Sequence, residues 1–251
     1  RPLALSSALI LEEGLPMEDL WRITRSMADA ARNAGVPIVT GDTKVVGRGK
    51  GDGIFVNVTG VGLVAEGVEI SPRRAKPGDV ILVSGAIAQH GVAIMALREG
   101  LEFGTTVTTD SAPLNGMVAS LLAALGADVH VLRDPTRGGV ASVLNEIAKA
   151  AGTGVTISEA AIPVAEEVRG ACEILGLDPL YVANEGKLLA FVARERADEA
   201  LSILRADRFG AEAAIVGEVT AEHPGKVVLK SRVGGRRIVD LLTGDQLPRI
   251  C

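Results

Sequence analysis

The chain has 251 residues, 47% of them hydrophobic and 23% charged, with a formal net charge of −5 at neutral pH. This length suits roughly two domains, and the apolar content excludes an intrinsically disordered chain. Aromatic residues make up 2% of the sequence and no run of lysines or arginines occurs. We therefore expect no nucleic-acid partner and no anionic-lipid partner, but rather small molecules and proteins.

Nothing in the sequence predicts a membrane segment. No stretch approaches the roughly 20 apolar residues that cross a bilayer, and no signal peptide opens the chain, so a cytoplasmic location is expected. The two cysteines, Cys172 and Cys251, are too few for a disulfide framework or a cysteine-rich zinc site.

The first region predicts one helix and two strands. Apolar residues recur every three or four positions from Pro16 to Ala34, and Gly35 follows as a C-cap, which predicts a helix. Residues 36–46 and 54–64 predict strands joined by the glycine-rich turn 47–53, a hairpin-like arrangement.

A second region follows a segment rich in proline and positive charge, residues 69–79, where we place a domain boundary. Strands are predicted at 79–85, 128–134, 155–157, 188–193, 213–219 and 226–231, and helices at 90–100, 113–125, 138–151, 163–175 and 195–205. This alternation is typical of an α+β or α/β domain with an open sheet. The predicted divisions are residues 1–70, residues 71–233, and a flexible tail, residues 234–251, that lacks a sheet register.

The two cysteines lie in different contexts. Cys172 falls on the apolar stripe of a predicted helix, between Val168 and Leu175, so we expect a buried thiol. Cys251 is the last residue, in the sequence LPRIC. Position alone favours a disordered chain end without function.

Three short clusters join glycine to charge near predicted strand ends. In GDTK, residues 41–44, Asp42 suits a divalent cation, Thr43 offers a hydroxyl and Lys44 suits phosphate. An ordinary turn with a solvated ion pair is the alternative. In NEG, residues 184–186, Glu185 places a carboxylate on a turn, and a solvated surface group is the alternative.

The third cluster is DPTRGG, residues 134–139, between a predicted strand and a predicted helix. The backbone N–H groups of Gly138 and Gly139, the helix N-terminus and the Arg137 guanidinium together favour an anion. A plain connection capped by Thr136 is the alternative. The chain contains no Walker A loop, and its histidines have no metal-ligand spacing.

Taken together, GDTKVV, the DPTRGG turn, ANEGKL and the terminal PRIC resemble the HypE family of hydrogenase maturation factors, which act as carbamoyl dehydratases. The resemblance runs from the first residues to Cys251. It implies an α+β, two-domain fold with α/β-like layers, shared with aminoimidazole ribonucleotide synthetases and selenophosphate synthetases. Those related enzymes do not end in this way, so the resemblance gives Cys251 a function.

The resemblance implies a reaction on the terminal thiol. A HypF-type carbamoyltransferase would carbamoylate Cys251, and Mg-ATP would drive dehydration of the carbamoyl group to a thiocyanate. The cyano group would pass to an iron-carrying HypC–HypD type complex and become a ligand of the [NiFe] hydrogenase centre. The family also implies a homodimer.

The resemblance also implies roles for residues of the clusters. Lys44 would steady developing charge, and Glu185 would act as general base. Asp42 and Asp134 would hold Mg²⁺. The residues expected to shape the site for ATP are Asp42, Thr43, Lys44, Thr136, Arg137, Gly138 and Gly139.

Two departures from the family pattern stand out. The family usually carries a Gly-Asp pair where this chain has Ala88 and Gln89, so a different loop geometry is expected there. The sequence also opens at Arg1 without methionine, at a point well inside the first domain of the family. We therefore expect an N-terminally truncated chain with an incomplete first domain, and predict that these residues alone bind ATP poorly and turn over little or not at all.

Two other functions stay open. One is a different ATP-dependent enzyme of the same superfamily, forming an amidine or selenophosphate, to which a terminal cysteine is of no use. The other is a non-catalytic carrier or scaffold whose tail thiol docks a metal or a partner protein.

Overall fold

The computed structural model describes residues 1–100 and 107–241, and the chain divides into two compact units between Glu66 and Gly67. No helix within the described residues is long and apolar enough to cross a membrane. The first unit contains strand β1 (Pro2–Glu12), helix α1 (Met17–Ala34), strand β2 (Ile38–Val46) and strand β3 (Ile54–Gly62).

Helix α1 confirms the apolar periodicity. It begins after Pro16, carries Glu18 and Asp19 in its first turn, and ends at Gly35, which adopts a left-handed conformation with φ of 67°. The acidic residues complement the positive end of the helix dipole, and Gly35 donates its N–H to carbonyls of the last turn.

The expected hairpin between β2 and β3 is wrong. The sheet order is β2-β1-β3, with β1 parallel to β2 and antiparallel to β3. Helix α1 is the crossover that a parallel β1–β2 pair requires, and it allows β1 to occupy the position between the other two strands. Strand β1, which was not predicted, contains Ser6 and Ser7 within its apolar sequence.

The second unit is built on a seven-stranded mixed sheet. Its strands are β4 (Val80–Val83), β5 (Val129–Arg133), β6 (Gly154–Ser158), β7 (Leu189–Val192), β8 (Ala214–Thr220), β9 (Val227–Lys230) and β10 (Arg236–Val239). The order is β10-β9-β6-β8-β4-β7-β5, and of these neighbouring pairs β6 and β9 are parallel and the others antiparallel. The helices are α2 (Gln89–Glu99), α3 (Asn115–Leu125), α4 (Gly139–Ala151), α5 (Glu166–Leu175) and α6 (Ala197–Ala206).

Both faces of this sheet are buried. In β4, Ile81 and Val83 join an apolar cluster with residues of α2, α4 and α5, whereas Val80 and Leu82 join a second cluster with residues of α3 and α6. Successive side chains of a strand point to opposite faces, so an unbroken apolar strand such as VILV indicates helices on both sides. The predicted helices and strands of this unit are confirmed, with ends shifted by a few residues.

The expectation that no sheet register follows Gly235 is wrong for residues 236–239. These form β10, antiparallel to β9, and Val239 is fully buried. The buried amide of Asn145 also donates to the Val239 carbonyl at 2.9 Å. The sequence pattern did not predict this strand because two arginines begin it and only Ile238 and Val239 are apolar. The rest of the predicted tail, residues 242–251 with Cys251, lies outside the described residues.

Burial on both faces of the sheet predicts which substitutions lower the free energy of unfolding. Phe191 in β7 is fully buried, and Phe191→Ala is expected to lower the free energy of unfolding by about 3–5 kcal/mol because it leaves a cavity. Ile174 on α5 is 77% exposed, so Ile174→Ala is a matched control that should change stability by less than about 0.5 kcal/mol. Urea denaturation measures both, and equal losses would contradict the assigned core.

Candidate functional site

The GDTK cluster lies within strand β2, so its expected place at a strand end is wrong, and so is the alternative of a turn. Asp42 pairs in register with Ala8 of β1, and Lys44 pairs with Ile10. Because side chains alternate along a strand, Asp42 and Lys44 share one face and Thr43 lies on the other. All three are exposed, and the Thr43 N–H donates to Asp42 Oδ1 at 2.8 Å.

An open cavity of about 720 Å³ adjoins this part of β2. Its lining includes Asp42 and Thr43, together with Ser7 of β1 and Thr24 and Met27 of α1. Asp42 and Thr43 thus border a solvated concave surface of the first unit, although their side chains point to opposite faces of the strand.

The DPTRGG cluster forms the connection from β5 to α4, as predicted. Gly138 and Gly139 have φ of 70° and 61°, and the Gly139 N–H donates to the Thr136 carbonyl at 3.0 Å. Gly138 is the N-cap of α4 and supplies no side-chain bond, so capping by Thr136 is wrong. A helix N-terminus without a side-chain cap favours an anion, and exposed Arg137 adds positive charge.

Asp134 opens the same turn and is exposed. Its Oδ1 accepts from Arg133 Nη1 at 2.5 Å, and Arg133 also lies 3.8 Å from Glu146. Part of the Asp134 carboxylate is therefore neutralised by its neighbour.

The candidate ligands for Mg²⁺ are the carboxylates of Asp42 and Asp134. The described residues contain no preformed group of three or more His, Cys, Asp or Glu that could hold a metal ion. Asp42 belongs to the first unit and Asp134 to the second. Mg²⁺ is commonly bound through one or two carboxylates together with substrate phosphates and water, so each of these two carboxylates, taken by itself, is of the kind that holds Mg²⁺ with a nucleotide.

Glu185 lies in the turn before β7 and is half-buried. Its Oε1 is buried and accepts no hydrogen bond from the described residues. An unsatisfied buried carboxylate oxygen is unfavourable by itself, so this atom is available to a substrate N–H.

The NEG and DPTRGG turns are joined by hydrogen bonds. Both the backbone N–H and the side-chain Nδ2 of Asn184 donate to the Pro135 carbonyl, at 3.2 and 2.9 Å. The structure thus brings Glu185 next to the turn that contains Thr136, Arg137 and the two glycines.

Sequence reasoning gave no role to Asn184, nor to the buried ion pair beside it. Lys187 Nζ lies 2.5 Å from Asp110 Oδ2, and both side chains are less than one-tenth exposed. The signal in the sequence was the ANEGKL stretch, where Asn and Lys flank the Glu-Gly pair, but nothing in it identifies their distant partners.

Two of the histidines and Cys172 make contacts that stabilise the fold. His90 Nδ1 contacts the Thr109 hydroxyl and His130 Nδ1 contacts Asp79, each at 2.8 Å. Cys172 is 1% exposed, and burial raises the pKa of its thiol to about 11, so it stays protonated and its predicted place in the core is confirmed.

Comparison with known proteins covers the whole chain. Residues 1–64 match the family described as AIR synthase related protein, N-terminal domain, and residues 76–230 match the C-terminal domain of the same family. The chain is 56% identical to carbamoyl dehydratase HypE of Azotobacter vinelandii over 251 residues, which is all of this chain and 73% of that relative.

Two solved structures are similar in both fold and sequence. Hydrogenase maturation protein HypE in complex with ATP matches with a TM-score of 0.96 and 50% identity, covering 100% of this chain and 76% of that chain. A chain of a HypE–HypF complex matches with a TM-score of 0.93 and 49% identity, covering 96% of this chain and 78% of its own length. The expected two-domain α+β fold is confirmed.

Glycines at the two ends of α4 test the close packing of the DPTRGG turn. A Cβ on Gly139 would lie 2.4 Å from the Leu180 carbonyl oxygen and 2.7 Å from that of Val182, whereas a Cβ on Gly152 meets nothing within 4 Å. Both glycines have left-handed φ, so Gly152→Ala should cost about 1 kcal/mol from strain alone. Gly139→Ala should cost about 3 kcal/mol or more because overpacking adds to that strain. Thermal or urea unfolding of the two variants measures the difference, and equal costs would contradict the close contact.

Proposed function

The chain belongs to the HypE carbamoyl dehydratase family, and on that basis we propose that it converts an S-carbamoyl group on Cys251 to a thiocyanate with ATP. The thiocyanate supplies the cyanide ligand of the [NiFe] hydrogenase iron centre. The observation that carries the site assignment is the buried, unpartnered Glu185 oxygen beside a turn suited to phosphate.

The reaction removes the elements of water from a thiocarbamate. The carbamoyl oxygen attacks the γ-phosphate of ATP, ADP leaves, and the oxygen departs from carbon as inorganic phosphate. Loss of the nitrogen protons completes the carbon–nitrogen triple bond, and one net proton is released. Oxide is a poor leaving group and phosphate is a good one, so phosphorylation makes the dehydration feasible.

Glu185 acts as the general base. Its free Oε1 can accept a hydrogen bond from the carbamoyl N–H and then take the proton as phosphate leaves. Half-burial limits competition from water at this carboxylate. Because Asn184 holds the adjoining backbone on Pro135, the base is fixed beside the phosphate-binding turn.

The GDTK cluster and the DPTRGG cluster each contain groups that we assign to phosphate charge. In the second unit, the uncapped N-terminus of α4 and Arg137 are assigned to phosphate oxygens, with Thr136, Gly138 and Gly139 shaping the turn. In the first unit, Lys44 is assigned to steady developing negative charge and Thr43 to a phosphate oxygen. Asp42 and Asp134 would hold Mg²⁺, which neutralises phosphate charge when bound.

The point from which the tail leaves the sheet supports delivery of Cys251 to this site. The Tyr181 hydroxyl donates to the Asp240 carbonyl at 2.9 Å, just after β10, and Arg237 pairs with Asp178 at 2.5 Å. Burial, and secondly the charge of Asp178, raise the pKa of Tyr181, so it stays protonated and able to donate. Cys251 lies ten positions after Leu241, and ten residue steps span at most about 35 Å when extended.

The partners proposed here follow from the reaction. A HypF-type carbamoyltransferase loads Cys251, and an iron-carrying HypC–HypD type complex receives the cyano group in the cytoplasm. Apolar side chains exposed in the first unit, among them Trp21, Val39, Val45 and Val61, support self-association as a homodimer.

Mass spectrometry of the tail tests the proposed chemistry. After incubation with the carbamoyltransferase, carbamoyl phosphate and Mg-ATP, Cys251 in the wild-type full chain should end with a net gain of about 25 Da. Glu185→Gln should stop at the carbamoyl stage, a gain of about 43 Da, because proton removal fails.

Two cysteine variants serve as controls. Cys172→Ser should behave like the wild type because that thiol is buried and protonated. Cys251→Ala should gain neither mass. Unchanged ATP turnover and an unchanged product in Cys251→Ala would favour another enzyme of the superfamily. If the tail of the wild type gains no mass and no ATP is hydrolysed, a carrier or scaffold is favoured.

A further inference from the structure

We propose that Asn184 is a positioning residue for the dehydration, which holds the Glu185 turn at a fixed place against the phosphate-binding turn. This inference rests on the proposed function. The family resemblance included Asn184 in the ANEGKL stretch without giving it a role, and its contacts define one.

Every hydrogen-bonding group of the Asn184 side chain is used. Oδ1 accepts from the Ala88 N–H at 2.8 Å, and Nδ2 donates to the carbonyls of Pro135 at 2.9 Å and Val182 at 3.0 Å. The residue is fully buried, so water cannot replace these bonds. One amide therefore joins three segments: the start of α2, the DPTRGG turn and the NEG turn.

The backbone at Ala88 indicates that this arrangement is enforced. Ala88 is fully buried and adopts φ of 74°, a left-handed conformation that is unfavourable for a residue with a Cβ. Such strain persists where the surroundings determine the conformation, and it is often found at functional sites. The Ala88 N–H donates directly to Asn184 Oδ1, so Asn184 is one of the contacts that hold the strained residue.

Close backbone contacts on both sides limit any shift of the two turns. A Cβ on Gly139 would lie 2.4 Å from the Leu180 carbonyl oxygen. A Cβ on Gly186 would lie 2.9 Å from the Ala112 nitrogen, which is also too close. Glu185 is therefore held between Asn184 and a glycine with no room for a side chain. Removal of the amide should release the coupling between turns while each turn keeps its own local bonds.

The chemistry requires an amide at this position. An aspartate would keep an acceptor for the Ala88 N–H but lose both donors, and it would place negative charge against the carbonyls of Pro135 and Val182. Asn184→Asp should therefore impair the site at least as much as Asn184→Ala.

The experiment compares the single-turnover rate of carbamoyl-to-thiocyanate conversion with the KM for ATP in the full chain. In Asn184→Ala and Asn184→Asp, conversion at saturating Mg-ATP should slow by about 10- to 100-fold, because a small misplacement of the base is costly. Carbamoylation of Cys251 should be unchanged, and the KM for ATP should stay within about threefold, because the α4 N-terminus is intact.

His130→Leu is the matched control. It removes another buried side-chain contact, to Asp79, at the end of β5 opposite Asp134. It should lower Tm at least as much as Asn184→Ala and leave conversion within about twofold of the wild type. If Asn184→Ala does not fold, Ala88→Gly, which relieves the left-handed strain, is added to the variant.

The outcomes separate the two claims. Conversion at the wild-type rate in the Asn184 variants overturns the positioning role, as does an equal slowing in His130→Leu. If the wild type itself forms no thiocyanate, the proposed function is wrong. The positioning role is then tested by hydrogen exchange of backbone amides. The backbone amides of residues 88 and 184, which bond between segments in the wild type, should exchange about tenfold faster in Asn184→Ala, and unchanged exchange overturns the positioning role.

Discussion

The side-chain amide of Asn184 is the interaction on which the arrangement of the second unit's site depends. It is fully buried and joins the backbone of three segments that are far apart in sequence. The N-terminus of α4 forms locally through its glycines, whereas the strained backbone of Ala88, where α2 begins, is held by its contact with Asn184. Their relative positions depend on bonds between segments, and so does the distance from Glu185 to the DPTRGG turn.

The sheet of the second unit supplies the rigid frame for these bonds. Helices bury both of its faces, so the ends of β5 and β7, next to which Asp134 and Glu185 lie, are fixed by a continuous apolar core. The same frame fixes β10, with Val239 buried and Asp240 bonded to Tyr181. Asp240 is therefore held on the second unit, eleven positions before Cys251 in the sequence.

Much of this fold follows from sequence periodicity. The helices and the strands from 80 to 230 have apolar patterns of the expected period, and glycines mark several helix ends. Strand β1 and the order β2-β1-β3 were missed because the parallel pairing depends on a crossover rather than on a turn. For the site, residue types identified Glu185 and the DPTRGG turn. The role of Asn184 was not predicted because its partners Ala88 and Pro135 are 96 and 49 residues away. Local sequence patterns do not indicate which distant residues are in contact.

Transfer of an oxygen isotope shows whether the carbamoyl oxygen leaves Cys251 as phosphate. Cys251 carrying a carbamoyl group labelled with oxygen-18 is allowed to react with unlabelled ATP, and the inorganic phosphate is analysed by mass spectrometry. The phosphate formed with each thiocyanate is expected to carry the label. Unlabelled phosphate, with the label released to water, would contradict it.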